Sequence, residues 1–157
     1  MTSAGSESAR ATWLLCRAGA HLCAIPIEHV IETMRAQPIE PIAGAPPYVL
    51  GLSLIRGAPT PVVDTGLLIG GTTTRRERFI TVKSGERTIA LLAEAVVGIS
   101  AIALDKLGQL PPLLGDAAAK TIEAVGTRDA ELLFFLRTAR LVPEDLLDRL
   151  AFAEALS

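Results

Sequence analysis

Short strand–turn–strand units constrain this chain more than any other feature of its sequence. Each unit has two runs rich in β-branched or large apolar residues, separated by a turn that contains Gly, Ser or Asp, which is typical of a β-hairpin. Three such units are present: residues 12–17 with 22–25, residues 78–83 with 87–93, and residues 121–126 with 131–137. A fourth pair of runs, 49–55 and 59–63, flanks Arg56-Gly57.

This number of short strands exceeds what one flat sheet usually holds, and closure into barrels removes exposed edges. The likeness among the hairpins is one of topology rather than of residues, and it favours two related lobes over a solenoid. Apolar residues make up 50% of the chain and aromatic residues only 4%, so Leu, Ile, Val and Ala must supply most of the core. The sequence therefore predicts a mainly β protein.

Two helices are expected. Ile27, Val30, Ile31 and Met34 recur at the spacing of an amphipathic helix, and Pro26 is well placed to open it. A C-terminal helix is expected from Pro143, with Glu144 and Asp145 in its first turn and a buried face of Leu146, Leu147, Leu150 and Ala151. Residues 104–119 are interrupted by Gly and Pro, and the pattern leaves a loop and a loose helix equally open.

The N-terminal residues and the net charge limit the classes of protein to which the chain can belong. Residues 1–11 are small and polar and predict a disordered tail, followed by one domain over residues 12–157. The formal net charge of −2 provides no basic field for nucleic acid. The longest uncharged stretch, residues 41–55, is too short to span a bilayer, which argues against direct membrane insertion. A cytoplasmic location is expected.

The first hairpin places Cys16 opposite Cys23 if its turn is centred between Gly19 and Ala20. The expected cytoplasmic location favours a reduced, buried pair over a disulfide. A zinc site would need more ligands than these, so neither a metal nor another cofactor is expected.

Candidate catalytic residues are few. Ser53, Cys16 and Cys23 are potential nucleophiles and His21 and His29 potential bases, but none lies in a nucleophile-elbow motif. Asp64 closes a predicted strand, where a carboxylate commonly accepts hydrogen bonds from turn amides. Arg75, Arg76 and Arg78 form a basic cluster that is read either as a solvated loop or as a phosphate site. The sequence does not predict an enzyme.

Residues 41–63 are the most informative segment. The segment is uncharged apart from Arg56, and Pro46-Pro47 stiffens the backbone ahead of the strand that leads to Arg56. Arg56 lies on the turn between two apolar strands. It is either a solvated turn charge or a preset contact for a partner's carboxylate or carbonyl oxygen.

Several motifs along the chain match a known family pattern, and those from Cys23 to Gly57 match it without gaps. The elements are Val30–Glu32, Pro38-Ile39-Glu40-Pro41-Ile42, Ala45-Pro46-Pro47-Tyr48-Val49, Gly51, Ile55-Arg56-Gly57 and Pro61-Val62-Val63-Asp64. Further matches are Phe79-Ile80-Thr81-Val82, Ser84-Gly85 and Ala90-Leu91-Leu92-Ala93-Glu94-Ala95-Val96. With these elements the chain resembles CheW-type chemotaxis adaptors, and the likeness covers roughly residues 12–142.

The resemblance implies two small five-stranded Src-homology-3-like β-barrels around a shared hydrophobic core. It also implies a non-catalytic adaptor that joins the regulatory domain of a CheA-type histidine kinase to the cytoplasmic tip of a methyl-accepting chemoreceptor. Arg56, Gly51 and Val30 match positions associated with receptor or array contacts, and Glu32 matches an acidic position implicated in partner binding.

Departures from the family pattern leave alternatives open. Leu54 replaces the usual Asn before the Arg-Gly turn, Gly66 an Arg, Ala124 a Gly, and Arg137 an acidic residue. One alternative is a diverged adaptor that serves a two-component pathway other than chemotaxis. A small-ligand-sensing module is another, and a hydrolase based on Ser53 or a cysteine is the least favoured.

Overall fold

The computed structural model describes residues 9–106, 108 and 122–138. Ten strands account for most of these residues: β1 Arg10–Ala18, β2 His21–Pro26, β3 Val30–Arg35, β4 Val49–Ile55, β5 Ala58–Asp64, β6 Arg78–Ser84, β7 Arg87–Ala93, β8 Ala95–Ala103, β9 Ile122–Arg128 and β10 Glu131–Leu136. One short α-helix, α1, covers Thr65–Gly70, and single 3₁₀ turns cover Ile27–His29 and Leu104–Lys106. The four predicted hairpins are confirmed as β1–β2, β4–β5, β6–β7 and β9–β10.

The strands form two five-stranded sheets. The central lobe has the strand order β3-β6-β7-β5-β4, and the terminal lobe has the order β8-β1-β2-β10-β9. Each sheet contains one parallel pair, β5 with β7 and β2 with β10, while the other neighbours are antiparallel. The predicted pair of five-stranded lobes is confirmed, and the terminal lobe combines strands from both halves of the chain.

The two lobes are equivalent in detail. In each, the first edge strand bulges against its neighbour, at Ile31 between β3 and β6 and at Val97 between β8 and β1. A second bulge lies on the other edge strand of each lobe, at Leu50 and at Glu123. Superposing these registers makes Val30 equivalent to Val96 and Arg56 to Asp129. The repeat is therefore structural even where the residues differ.

Curling brings the two edges of each sheet together. Glu40, in the segment that follows β3, makes an isolated bridge to Leu52 of β4. Gly108 makes the equivalent bridge to Val125 of β9 in the terminal lobe. Each lobe is thus a strongly curled sheet whose edges meet at an isolated bridge, rather than a barrel closed by a continuous ladder.

Among the described residues, three apolar clusters form the core. The largest lies between the lobes and draws side chains from both sheets, including Leu14, Ile25, Ile80 and Leu91. This is the shared core that the resemblance to CheW-type adaptors implied. The interior of the terminal lobe is filled by Trp13, Leu15, Leu22, Ala24, Ala124, Leu133 and Phe135. The interior of the central lobe is filled by Ile55, Val62, Phe79, Ala90 and Leu92.

The amphipathic helix predicted from Ile27 to Met34 is wrong. Only Ile27–His29 form a turn of 3₁₀ helix, and Val30 then begins strand β3. From Val30 onward half-buried and exposed residues alternate with a period of two, as in a half-buried strand. The β-branched residues Val30, Ile31 and Thr33 favour this conformation, and pairing with β6 supplies the hydrogen bonds.

Other expectations about the elements either differ from the structure or lie outside the described residues. Strand β8 and helix α1 have no counterpart among the predicted elements, and β1 begins at Arg10, inside the predicted tail. The C-terminal helix and most of residues 104–119 lie outside the described residues. Cys16 faces Cys23 across β1 and β2 as expected, and both are buried free thiols.

Candidate partner-binding surface

Arg56 occupies a rigid turn at the tip of the β4–β5 hairpin. It and Gly57 form the two-residue loop between Ile55 and Ala58, and both have positive φ, 49° and 79°. Turns of this kind match the twist of the flanking strands. A left-handed conformation costs a non-glycine residue about 1 kcal/mol, so the backbone of Arg56 is strained and is held by the hairpin on either side.

The guanidinium of Arg56 makes a two-point ion pair with Glu32. Arg56 Nε donates to Glu32 Oε2 at 2.6 Å, and Arg56 Nη2 donates to Glu32 Oε1 at 2.8 Å. The Arg56 side chain remains 78% exposed, whereas that of Glu32 is 27% exposed. The hydrogen bonds from Arg56 lower the pKa of Glu32, and those to Glu32 raise the pKa of Arg56. Both groups therefore remain charged at neutral pH.

Glu32 is itself held in place through its backbone. It follows the bulge at Ile31, where the ladder between β3 and β6 is interrupted. The buried hydroxyl of Thr81 accepts a hydrogen bond from the N–H of Glu32 and donates one to its C=O, both at 3.2 Å. The ion pair consequently joins two anchored backbones at opposite edges of the central lobe.

Gly51 has a structural requirement of its own. It is buried in β4 beside the bulge, with a φ of 144°, and an added Cβ would lie 1.9 Å from the carbonyl oxygen of Glu40. Glu40 and Leu52 exchange backbone hydrogen bonds at 2.8 and 2.9 Å there. Glycine therefore permits the close approach by which the lobe curls.

Val30 opens β3 and packs, half-buried, against the shared core. It lies two residues before Glu32 on the same strand. Of the four residues singled out in the sequence, the structure joins Arg56 and Glu32 directly. Val30 and Gly51 belong to the strands that carry this pair.

Two exposed apolar side chains near the ion pair were not among the partner-binding residues predicted from the sequence. Leu54 is 68% exposed on β4, and Ile31 is 47% exposed at the bulge of β3. The sequence did mark Leu54, because it replaces the Asn that is usual before the Arg-Gly turn in CheW-type adaptors. Nothing in the sequence pattern marks Ile31, which the helical spacing places in the buried stripe of a helix.

Ser53, His29 and Cys23, three of the potential catalytic residues, have structural partners. Ser53 donates its hydroxyl hydrogen bond to the carbonyl of Pro38 at 2.7 Å, and His29 Nδ1 pairs with the hydroxyl of Thr138 at 2.6 Å. Hydrogen bonding to Cys16 and burial raise the pKa of the Cys23 thiol well above its usual range, so Cys23 is not a thiolate nucleophile at neutral pH.

Asp64 is the N-cap of α1, as its position at the end of a strand suggested. Its Oδ1 accepts from the N–H of Leu67 at 3.2 Å, and its carboxylate also accepts from the N–H of Thr74. Gly66 fits the same tight loop, because a Cβ there would lie 2.2 Å from the carbonyl oxygen of Thr72. The local backbone thus requires a glycine at position 66, where the family pattern has an Arg.

In the part of the chain that the structure describes, no group of three or more His, Cys, Asp or Glu side chains is arranged to hold a metal ion. No helix in residues 9–106, 108 and 122–138 has the length and apolar character needed to cross a membrane.

Comparisons with known proteins agree with this architecture. The family model described as CheW-like domain matches residues 12–145. Protein FrzA of Myxococcus xanthus is 32% identical over 127 residues, which cover 74% of this chain and 79% of that protein. The crystal structure of scaffolding protein TtCheW from Thermoanaerobacter tengcongensis superposes with a TM-score of 0.74 at 19% identity, covering 86% of this chain and 94% of that chain.

Proposed function

Because the chain belongs to the CheW-like domain family, we propose that it acts in the cytoplasm as an adaptor that links a chemoreceptor to a CheA-type histidine kinase. Membership makes it a non-enzymatic scaffold of chemotaxis signalling. The specific partners in the proposal are the regulatory domain of the kinase and the cytoplasmic tip of a methyl-accepting receptor. Arg56, Glu32, Val30 and Gly51 are the proposed partner-binding residues.

The two-point Arg56–Glu32 pair is the observation that supports this proposal most directly. A guanidinium has five N–H donors in a fixed planar arrangement, and Glu32 uses only two of them. The remaining donors are available to a partner's carboxylate or backbone carbonyl. Because the turn and Glu32 already fix the side chain, a partner that contacts it orders little additional structure.

Two measurements test the proposal. Calorimetry with the cognate kinase's regulatory domain should give a dissociation constant in the micromolar range, as expected for a transient interface. Arg56→Ala should weaken coupling of the kinase to the receptor while leaving the melting temperature nearly unchanged, because exposed ion pairs contribute little to stability. A large loss of stability would instead make Arg56 a structural residue.

A charge-exchange variant distinguishes a direct contact between Arg56 and the partner from a purely structural role of the Arg56–Glu32 pair. The double variant Glu32→Arg/Arg56→Glu retains opposite charges across the lobe but removes the guanidinium from the turn. Coupling should remain lost in this variant, and recovery to the wild-type level would show that the pair only holds the lobe together. Arg17 and Glu131 form a matched control, since they make a two-point pair of the same kind in the terminal lobe, at 2.7 Å and also open to solvent. Arg17→Ala should leave receptor coupling intact.

A further inference from the structure

Two arginines face each other across the central lobe. Arg35 at the end of β3 is the register partner of Arg78 at the start of β6, and both side chains are exposed. Like charges directly opposite each other on antiparallel strands are destabilising. Arg76, also exposed, lies two residues before Arg78. These three residues, Arg35, Arg76 and Arg78, are called the arginine cluster.

The arginine cluster lacks internal counter-charges in the described part of the chain. The nearby Arg75 is paired with Glu94 at 3.3 Å, but none of the three cluster residues makes an ion pair within residues 9–106, 108 and 122–138. Glu77 is the one carboxylate in the same loop. Three arginines against one glutamate leave an excess of two positive charges on this surface.

The arginine cluster is separate from the Arg56–Glu32 surface. Side chains alternate between faces along a strand, so Glu32 and Met34 project from one face of β3 while Thr33 and Arg35 project from the other. Arg78 shares its face with Ile80 and Val82, which pack into the shared core. The cluster therefore lies at the rim of the lobe–lobe face, on the opposite face of β3 from Glu32 and its ion pair with Arg56.

We propose that the arginine cluster binds an acidic segment of a partner protein. Guanidinium groups pair with carboxylates at two points, and three of them side by side fit a short run of Asp or Glu. A negatively charged partner would also relieve the repulsion between Arg35 and Arg78. A nucleic acid or an anionic membrane is an extended anion that is bound through a wide positive field, which a chain with a net charge of −2 does not provide, whereas a short acidic segment needs only the local contacts. The proposal does not depend on which partner Arg56 contacts.

A labelled decaglutamate peptide is a suitable probe, followed by fluorescence anisotropy at low and high salt. The test variant is Arg35→Thr/Arg78→Thr, in which Thr suits exposed strand positions. The control is Lys83→Thr/Arg128→Thr, which removes the same amount of charge from exposed residues of β6 and β9 outside the cluster. Urea unfolding of each variant shows whether the fold is kept.

The test variant should bind the peptide about tenfold more weakly than wild type, while its urea midpoint stays equal or rises. The control should bind within about twofold of wild type, and added salt should reduce wild-type binding. Equal losses in both variants would overturn the proposal, because binding would then depend on net charge alone. Tighter binding of wild type to a duplex DNA oligonucleotide or to phosphatidylglycerol vesicles than to the peptide would also overturn it.

Discussion

Single residues at the edges of the central lobe show how local strain supports a fixed surface. Gly51 and Gly57 both have positive φ, yet their surroundings differ. An added Cβ at Gly51 would meet the Glu40 backbone, whereas none of its neighbours would lie within 4 Å at Gly57. The first glycine is required by a close approach and the second only by the conformation of the turn.

Gly51→Ala should therefore be far more destabilising than Gly57→Ala. The first substitution combines overpacking against backbone with a strained φ, and we expect a loss of about 3 kcal/mol or more in the free energy of unfolding. The second should cost about 1 kcal/mol through φ alone. Urea denaturation measures both values. Equal losses would mean that the Glu40 backbone moves away freely and that the curl of the lobe does not depend on Gly51.

The charge of Glu32 predicts a pH dependence. Hydrogen bonds from Arg56 lower the pKa of Glu32 in the folded chain, so its contribution to stability is present above the unfolded pKa of about 4.3. That contribution is lost as the pH falls through the lower folded pKa. The small stability advantage of wild type over Glu32→Gln at about pH 7 should vanish in acid. Thermal melts across this range test the sign, and a difference that does not vary with pH would contradict it.

Residue positions were only partly predictable. The turn position of Arg56 and the amide-binding role of Asp64 followed from their places at strand ends. The pairing of Arg56 with Glu32 did not, because the two residues lie at opposite edges of a sheet and meet only through its curl. Sequence spacing contains no information about that curl.

At the scale of elements, the region around β3 shows how two periodicities compete. A helical spacing relates the apolar residues Ile27, Val30, Ile31 and Met34. In the structure the burial of Val30 to Arg35 alternates from one residue to the next, as in a half-buried strand. Pairing with β6 satisfies the backbone of β3, and an isolated short helix would gain no comparable tertiary contact. Strand β8 escaped prediction because its exposed apolar residues, such as Val97 and Ile99, break the expected alternation.

Helix α1 is short and depends on its cap. Asp64→Ala removes the acceptor for the N–H groups of Leu67 and Thr74, and we expect a loss of about 1–2 kcal/mol. Asp64→Asn keeps a side-chain oxygen and should recover part of that loss. Urea unfolding of the two variants gives the comparison. If Asn were as damaging as Ala, the carboxylate charge rather than the cap geometry would account for the effect.

For the whole molecule, we expect the shared core to make the two lobes one folding unit. Side chains from both sheets meet in it, so loss of either lobe uncovers apolar surface of the other. The hairpins of the sequence indicated two related lobes, and the resemblance to CheW-type adaptors implied their common core. The hairpins did not indicate which strands belong to which lobe, since the parallel pairings join strands distant in sequence.

Trp13, the only tryptophan, provides a test of this coupling. It lies in the terminal lobe, with its ring edge-on to Phe135 at 4.7 Å between centroids. Phe79→Ala empties a buried site in the central lobe and should cost about 3–5 kcal/mol. The urea midpoints from Trp13 fluorescence and from far-UV circular dichroism should fall together.

Val62→Ala leaves a smaller cavity in the same lobe and keeps the test informative if Phe79→Ala fails to fold. A Trp13 midpoint that stays in place while the circular dichroism midpoint falls would show that the lobes unfold separately.

The strand order of the terminal lobe has a consequence for synthesis on the ribosome. β1 and β2 precede the central lobe in the chain, but their outer neighbours β8 and β10 both follow it. The central lobe, by contrast, uses five consecutive strands and has all of them once β7 has emerged. A nascent chain therefore carries β1 and β2 with both outer edges unpaired until β8 has emerged, and a product terminated between β8 and β10 would leave the edge of β2 exposed to chaperones and proteases.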